Sequence, residues 1–437
     1  MKKCISILFA CCAIAGETAA MEGSLSQRIT LKTPGNRAVT YNLRETAEGG
    51  GILEADRRLP LTVRRQKSET DDEIRIVLTL TAEDLLYYNV EQSFHTGLAH
   101  ENCLFYMPGF WYRKNLRSPE SAPSFHTGDS WQVREDRLST PLTGIYDERS
   151  GTYYTVLRTD TPDCEALACH NYGEVILSGK TSLGFTGFRN ADAHAALVFG
   201  FPYCEAPKSY VRKLTLAPAV RAFEKLEKGE TRRLTWTIRK GASPSYSSFV
   251  AEVWNDSFDT LDPRPVSPRH TPDEAKAILS EYFSRSYVGK YPLKFTSGVE
   301  LRTADCESTD IAEVGFVGRV LLNAFNALEY AEANGREQLA AEARSIFDSY
   351  LRYGFTPGGL IREVVDFKRE READVYSIRR QSEGLYALLN YLDYEKRHGR
   401  SHPRWEARIR TLLEKFRTLQ NPDGSFPRKF RDNLTVV

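Results

Sequence analysis

The hydrophobic period changes once along this chain, and the change falls at a run of prolines. Between residues 24 and 240, apolar residues alternate with polar ones in short runs such as Ile74-Arg-Ile-Val-Leu-Thr-Leu80, Tyr153-Tyr-Thr-Val-Leu-Arg158 and Ala195-Ala-Leu-Val-Phe-Gly200. In Arg233-Leu-Thr-Trp-Thr-Ile-Arg239, Leu234, Trp236 and Ile238 share one face at period two. Gly, Pro, Asn and Asp punctuate these runs, and more than 200 residues of such a pattern predict one large antiparallel sandwich. There is no βαβ alternation and no Gly-rich fingerprint, so a nucleotide-binding fold is excluded. A helical segment over 245–259 follows the last strand. Then Asp262-Pro-Arg-Pro-Val-Ser-Pro-Arg-His-Thr-Pro272 places four prolines in eleven residues, which can continue neither a helix nor a central strand. Beyond it the period is 3.6. The chain therefore divides into a β region over 21–243, a helical and proline-rich linker over 244–272, and a helical region over 273–437. In the linker, Phe249, Val253 and Trp254 fall near one face at helical spacing, which predicts that Trp254 is buried.

The helical region repeats. Leu328-Glu-Tyr-Ala-Glu-Ala-Asn-Gly-Arg336 matches Leu392-Asp-Tyr-Glu-Lys-Arg-His-Gly-Arg400 at an offset of 64 residues. Ile346-Phe-Asp-Ser-Tyr350 matches Leu412-Leu-Glu-Lys-Phe416, and Pro357-Gly-Gly-Leu-Ile-Arg362 matches Asp423-Gly-Ser-Phe-Pro-Arg428, both at an offset of 66. Each unit reads as a helix, a short corner, a second helix and a glycine turn. A helical hairpin cannot bury its apolar face alone, so such units stack. Helices are expected across 311–353 and 380–418.

Lys+Arg total 59 against 58 for Asp+Glu, without the basic excess of a nucleic-acid binder. Lys2 and Lys3, an apolar stretch over 5–16 and Thr18-Ala-Ala20 read as a signal peptide over 1–20, so the chain is expected to be exported to the periplasm or cell surface of a Gram-negative bacterium, without a membrane span. Of the eight cysteines, Cys103, Cys164, Cys169, Cys204 and Cys306 follow that segment; five is odd, so one at least is free or intermolecular, and Cys164 with Cys169 is the easiest local pair. Cys164-x4-Cys169-His170 has no second pair at ligand spacing, so no metal site and no cofactor is expected.

A large β-sandwich, a helical linker containing Trp254, then hairpins of about 65 residues carrying a glycine turn such as Asp423-Gly-Ser-Phe-Pro427 together resemble the six-hairpin carbohydrate-active enzymes. In those enzymes a β super-sandwich packs on an (α/α)6 toroid, and the resemblance covers nearly the whole chain beyond the N-terminal segment. It implies a multidomain β + α chain: an N-terminal antiparallel β-sandwich followed by a partial (α/α) toroid of helical hairpins. The toroid is partial because 273–437 is 165 residues, enough for about two and a half hairpins, so either the chain is a truncated product or the toroid is open. An open toroid leaves an apolar flank, so self-association through it is expected. Sandwich-first order is typical of hydrolases and phosphorylases in the resembling families. The resemblance thus implies a glycoside hydrolase acting on a complex or acidic glycan. A non-catalytic glycan-binding or structural protein is the alternative.

Links between repeat units are long and the corners within them short, so chemistry is expected where each unit begins. There lie Asp305, Glu307, Asp310 and Glu313, then Glu363, Asp366, Asp374, Arg379, Arg380 and Glu383. Glycoside hydrolysis needs two carboxylates, one protonated and one ionised. Asp310 and Asp374 are 64 residues apart, equivalent positions in adjacent units, though both also suit helix caps. Glu383, one turn inside its helix, is the expected general acid, with burial near aromatic rings raising its pKa; a salt bridge to Arg379 or Arg380 is the other reading. Asp374 is the expected second carboxylate. Arg379, Arg380 and Glu363 are expected to bind the sugar, although a solvated loop carboxylate is the plainer account of Glu363. In the sandwich, Trp111, Tyr112 and Arg113 follow the Pro108-Gly109 turn and are expected to bind sugar from the same cleft; core packing is the alternative for Trp111. His95, His100, His126 and Asp129 lie nearby. No H-E-x-x-H, G-x-S-x-G, EF-hand or Walker pattern occurs.

Overall fold

The computed structural model describes residues 23–33, 35–47, 49–160, 172–212, 214–297, 308–315 and 319–437. The expected signal segment and Cys164, Cys169, His170, Asp305, Cys306 and Glu307 lie outside them. The chain divides into two compact units, Met1–Pro265 and Val266–Val437.

The first unit is β-rich. One antiparallel layer runs Val39–Glu45, Ser24–Lys32, Leu86–Ala99, His194–Phe201, Phe185–Ala191, Trp131–Arg134. The other runs Leu61–Glu69, Glu73–Ala82, Thr231–Ala242, Thr152–Arg158, Leu142–Asp147, Cys103–Met107, Trp111–Arg113. The alternating apolar residues of both meet between them. Phe199 lies 5.5 Å from Trp236, Phe94 5.6 Å from Tyr154, and Phe105 3.8 Å from Phe188, each pair taking one ring from each layer. Thr215–Leu226 extends the first layer, pairing antiparallel with Cys204–Arg212. Its partner Gly173–Ile176 runs parallel to it, the one parallel pairing among the described strands.

Helix α1 (Tyr246–Leu261) begins at Ser245, whose hydroxyl accepts from the Ser248 N–H at 3.1 Å. It seats Tyr246, Phe249 and Val253 on the second layer, among Leu104, Tyr106, Tyr146 and Tyr153. Gly144 makes room for Phe249: a Cβ there would meet the ring at 2.6 Å. Burying one such phenylalanine contributes roughly 1.5–3 kcal/mol. Trp254 departs from expectation. It lies one residue, about 100° of helix, beyond Val253, and remains 39% exposed.

In the second unit, Pro272 closes the proline run and opens α2 (Pro272–Ser286) as its first residue. Thr271 and Glu274 form a reciprocal capping box there, at 3.2 and 2.8 Å. Two hairpins follow: α3 (Leu321–Ala333) with α4 (Glu337–Tyr353), and α5 (Ile378–Arg397) with α6 (Pro403–Leu419). α5 lies against α3, and the Phe347 and Tyr391 rings stack at 4.0 Å. This is a stack of two hairpins preceded by one helix; the described helices form no closed ring. The helical expectation from residue 311 is corrected: Ile311–Glu313 is a strand and α3 starts ten residues later. That strand pairs with Val364–Asp366, just as Val375–Ser377 pairs with Lys429–Arg431. The repeat therefore includes a short return-strand pair at the mouth of each hairpin, with Glu313 equivalent to Ser377.

Candidate functional site

The mouth of the first hairpin gathers charge. Glu363 precedes the return strand and is 1% exposed, so it is not the solvated loop residue its position suggests. Its carboxylate accepts from the Ser377 N–H at 2.6 Å and the Gln381 amide at 3.2 Å, with the Arg380 guanidinium 3.9 Å away. Ser377 is the N-cap of α5; Asp374, three residues earlier, is not. Fully buried Gln381 also accepts from the Ile361 N–H at 2.9 Å and donates to the Ile361 carbonyl at 2.6 Å, fastening the turn to α5. Burial raises the Glu363 pKa above the ordinary carboxylate value, against the lowering pull of Ser377, Gln381 and Arg380.

Glu313 stands at the end of the facing strand. Arg380 donates to one of its oxygens at 2.7 Å, and Arg319 pairs with the other. Gly315, at φ +73°, lets the chain turn away against α5, where a Cβ would lie 2.5 Å from the Arg380 Cα. Glu313 and Arg319 line a groove of about 1040 Å³ between α2 and α3, together with Tyr282, Tyr330, Asn323 and Asn326. Three carboxylates (Asp273, Glu313, Glu329), Lys276 and Arg319, three asparagine amides and two phenol rings along one trough suit a polyhydroxylated ligand: rings for apolar sugar faces, amides and charges for hydroxyls.

Of the residues expected from the sequence, Glu363 and Arg380 lie at this mouth, and the others fall elsewhere. Glu383 is in the second turn of α5, half-buried, and lines neither this groove nor the next depression. Asp374 is 84% exposed, 3.4 Å from Arg431, on a separate depression of about 510 Å³ with Tyr376 and Asp432. Asp310 and Asp374 are not a matched pair. Asp310 is buried beside Lys290 at 3.0 Å; burial pushes its pKa up, but Lys290 and Ser308 outweigh this and hold it below the ordinary range. Arg379 is exposed on the first turn of α5, and Arg380 joins Glu313.

In the sandwich, the Pro108-Gly109 turn sets Met107 opposite Trp111 and Tyr106 opposite Tyr112. Trp111 is consequently buried in the core, 5.6 Å from Trp131, and its indole N–H donates to the Arg113 carbonyl at 2.9 Å. This corrects its expected role as a sugar platform. Tyr112 is 49% exposed, and the Arg113 guanidinium lies 4.8 Å over the Tyr246 ring. His100 is buried against Phe105 and Phe125, with its Nε2 3.0 Å from the Asp129 carbonyl; burial lowers its pKa. His126 contacts the Leu116 carbonyl and His95 the Ser26 hydroxyl. These histidines brace loops and strands. Among the described residues no group of His, Cys, Asp and Glu is arranged to hold a metal ion, and no helix is long and apolar enough to cross a membrane.

No protein-family model matches the chain, and no curated protein does. Solved structures that align with it include a polysaccharide lyase, at 9% identity and a TM-score of 0.39 over 89% of this chain. A galactose mutarotase related enzyme from Lactobacillus acidophilus aligns at 10% identity and a TM-score of 0.24, over 48% of this chain and 71% of that one. A galactose mutarotase-like protein from Clostridium acetobutylicum aligns at 8% and 0.25, over 51% and 63%. The chain spans 61% of the lyase's length. At these scores the likenesses assign no activity.

Proposed function

We propose that this chain is a carbohydrate-active protein that holds a glycan along the groove between α2 and α3. The observation that carries the reading is the groove itself: Tyr282 and Tyr330 with Asn323, Asn326, Glu313 and Arg319 in one trough of about 1040 Å³. The basic start, apolar stretch and small residues of 1–20 support export to the periplasm or cell surface as part of the same reading. Self-association through the exposed end of the helical unit is also part of it.

The finer reading is hydrolysis by two carboxylates. Of the carboxylates that line the groove, Asp273, Glu313 and Glu329, Glu313 takes the ionised role beside Arg319 and Arg380. Glu363 is a positioning residue that holds Arg380 and the start of α5. Glu383 as acid with Asp374 as base is the competing assignment. One observation favours the non-catalytic alternative: both oxygens of Glu313 are engaged by arginines, an arrangement that suits holding a ligand more than moving a proton. A screen of neutral and acidic polysaccharides for released reducing ends decides between these readings, run on wild type, Glu313→Gln, Glu383→Gln and Asp374→Asn. Activity lost only in Glu313→Gln supports the groove. Activity lost in Glu383→Gln and Asp374→Asn but kept in Glu313→Gln moves the chemistry out of it. Glycan binding without turnover leaves a binding protein.

A further inference from the structure

The side of the first β layer that faces away from the core carries a cluster of charge. Inward and outward positions alternate, so Ile29, Val90, Leu197 and Phe188 enter the core while Arg28, Glu91, Val198 and Arg189 project to the other side. Register sets Arg28 directly opposite Glu91 on the neighbouring strand. Arg189 is two strands beyond Glu91, opposite Ala196, and reaches it across the strand that carries Ala196, Val198 and Gly200. The Arg28 and Arg189 guanidiniums both stand 2.7 Å from the same oxygen of Glu91, and Arg189 also donates to the Ser93 hydroxyl at 3.4 Å. A third guanidinium comes from Arg221, which pairs with Cys204 in the next ladder. It hydrogen-bonds the Cys204 thiol, on which the Glu91 charge also acts, and Cys204 itself packs with Val198 and Phe185 of the same face.

Three guanidiniums thus meet one carboxylate. One cation balances a buried carboxylate; the second and third are more than Glu91 needs. The neighbouring carboxylates are engaged elsewhere, Glu205 by Arg137 and Ser209 and Glu174 by Lys32. Glu91 is buried, but the Arg28 and Arg189 side chains remain 39% and 30% exposed and Arg221 is half-buried, so the surplus charge is open to solvent. His95, 3.2 Å from the Ser26 hydroxyl, projects on the same face. Arginine presents a planar fork of donors that matches the paired oxygens of a carboxylate or sulfate. We propose that this face of the sandwich binds the anionic group of an acidic saccharide, a carboxylate or a sulfate ester, with Arg28, Arg189 and Arg221 as donors and Glu91 as the buried anchor that holds two of them in place. The site is independent of the groove between α2 and α3, and it puts recognition of an acidic sugar in the sandwich rather than at Arg379 and Arg380.

Calorimetric titration of the intact chain with oligogalacturonate, a sulfated galactose oligosaccharide, its neutral counterpart and sodium sulfate tests this. At least one acidic oligosaccharide is expected to bind saturably, at least about tenfold more tightly than the neutral one or free sulfate, and more weakly as salt is added. Which of the two binds tells the carboxylate from the sulfate ester. Arg28→Gln and Arg221→Gln should each weaken that binding about tenfold or more, while Tyr282→Ala in the groove leaves it unchanged. Arg221→Gln keeps both partners of Glu91 in place, so it carries the test should Arg28→Gln fold poorly. No saturable binding of either acidic oligosaccharide overturns the proposal, and so does neutral oligosaccharide or free sulfate bound as tightly. Acidic binding that both arginine variants retain and Tyr282→Ala abolishes also overturns it, by moving the ligand to the groove. Acidic binding lost in the arginine variants and kept in Tyr282→Ala upholds it, whatever the groove itself proves to hold.

Discussion

Glu363 should tolerate loss of its charge far better than loss of its shape. Glu363→Ala strips the acceptor from the Ser377 N–H at 2.6 Å and removes one of three hydrogen bonds from buried Gln381. A buried donor left unpaired costs about 1–3 kcal/mol, so the alanine variant is expected to lose about 2–4 kcal/mol in all. Glu363→Gln keeps an oxygen facing Ser377 and should lose little. Both variants also depart from wild type in pH dependence. Burial raises the Glu363 pKa, so the folded chain holds its proton more tightly than the unfolded chain does. The contribution of this group is thus fully present below the unfolded value, about 4.3, and is lost as pH rises through the raised folded value. Glu363→Gln removes that titration, so its stability relative to wild type should improve as pH rises from about 4 to 8, by about 1.4 kcal/mol per unit of upward shift. Urea unfolding of both variants and wild type across that range reads this directly. An alanine variant within about 0.5 kcal/mol of wild type, or a glutamine variant whose relative stability falls with pH, would refute the reasoning.

Three other outcomes follow from geometry. Gly315→Ala places a Cβ 2.5 Å from the Arg380 Cα at φ +73°, and should destabilise by about 1–3 kcal/mol in thermal unfolding. Trp111→Ala should cost about 3–5 kcal/mol as a core truncation, whereas Tyr112→Ala, on the outer side of the same hairpin, should stay within about 1 kcal/mol. Cys103 and Cys204 are buried, with burial pushing their thiols up to about 12 and about 11, so iodoacetamide at pH 8 should label them only after unfolding, as read by mass spectrometry.

The features readable from the sequence are those with a long period or a local cap. Leu234, Trp236 and Ile238 do share the inner face of Thr231–Ala242, and the hairpins match because a 3.6 period over thirteen residues or more leaves little ambiguity. Ser245 and Thr271 announce α1 and α2 through their own side chains. What escaped is non-local. Ile311–Glu313 is too short to show a period and is a strand only because the hairpin returns Val364–Asp366 beside it. Glu363 reads as a loop residue, since nothing in its neighbours shows that Ser377 and Gln381 will close over it. The groove draws on residues from Asp273 to Asn334, and its tyrosines carry no local mark of exposure. Trp111 was the avoidable error: the three-residue turn Pro108-Gly109-Phe110 sets it opposite Met107, and the Phe105-Tyr-Met107 register already turns that position inward.

The most direct test is calorimetric titration of the intact chain with a panel of neutral and acidic oligosaccharides, repeated on Tyr282→Ala and Asn326→Ala. The account predicts saturable binding of at least one oligosaccharide, weakened about tenfold or more by Tyr282→Ala with unfolding behaviour unchanged. Binding that persists undiminished in both variants, or no saturable binding across the panel, would contradict it.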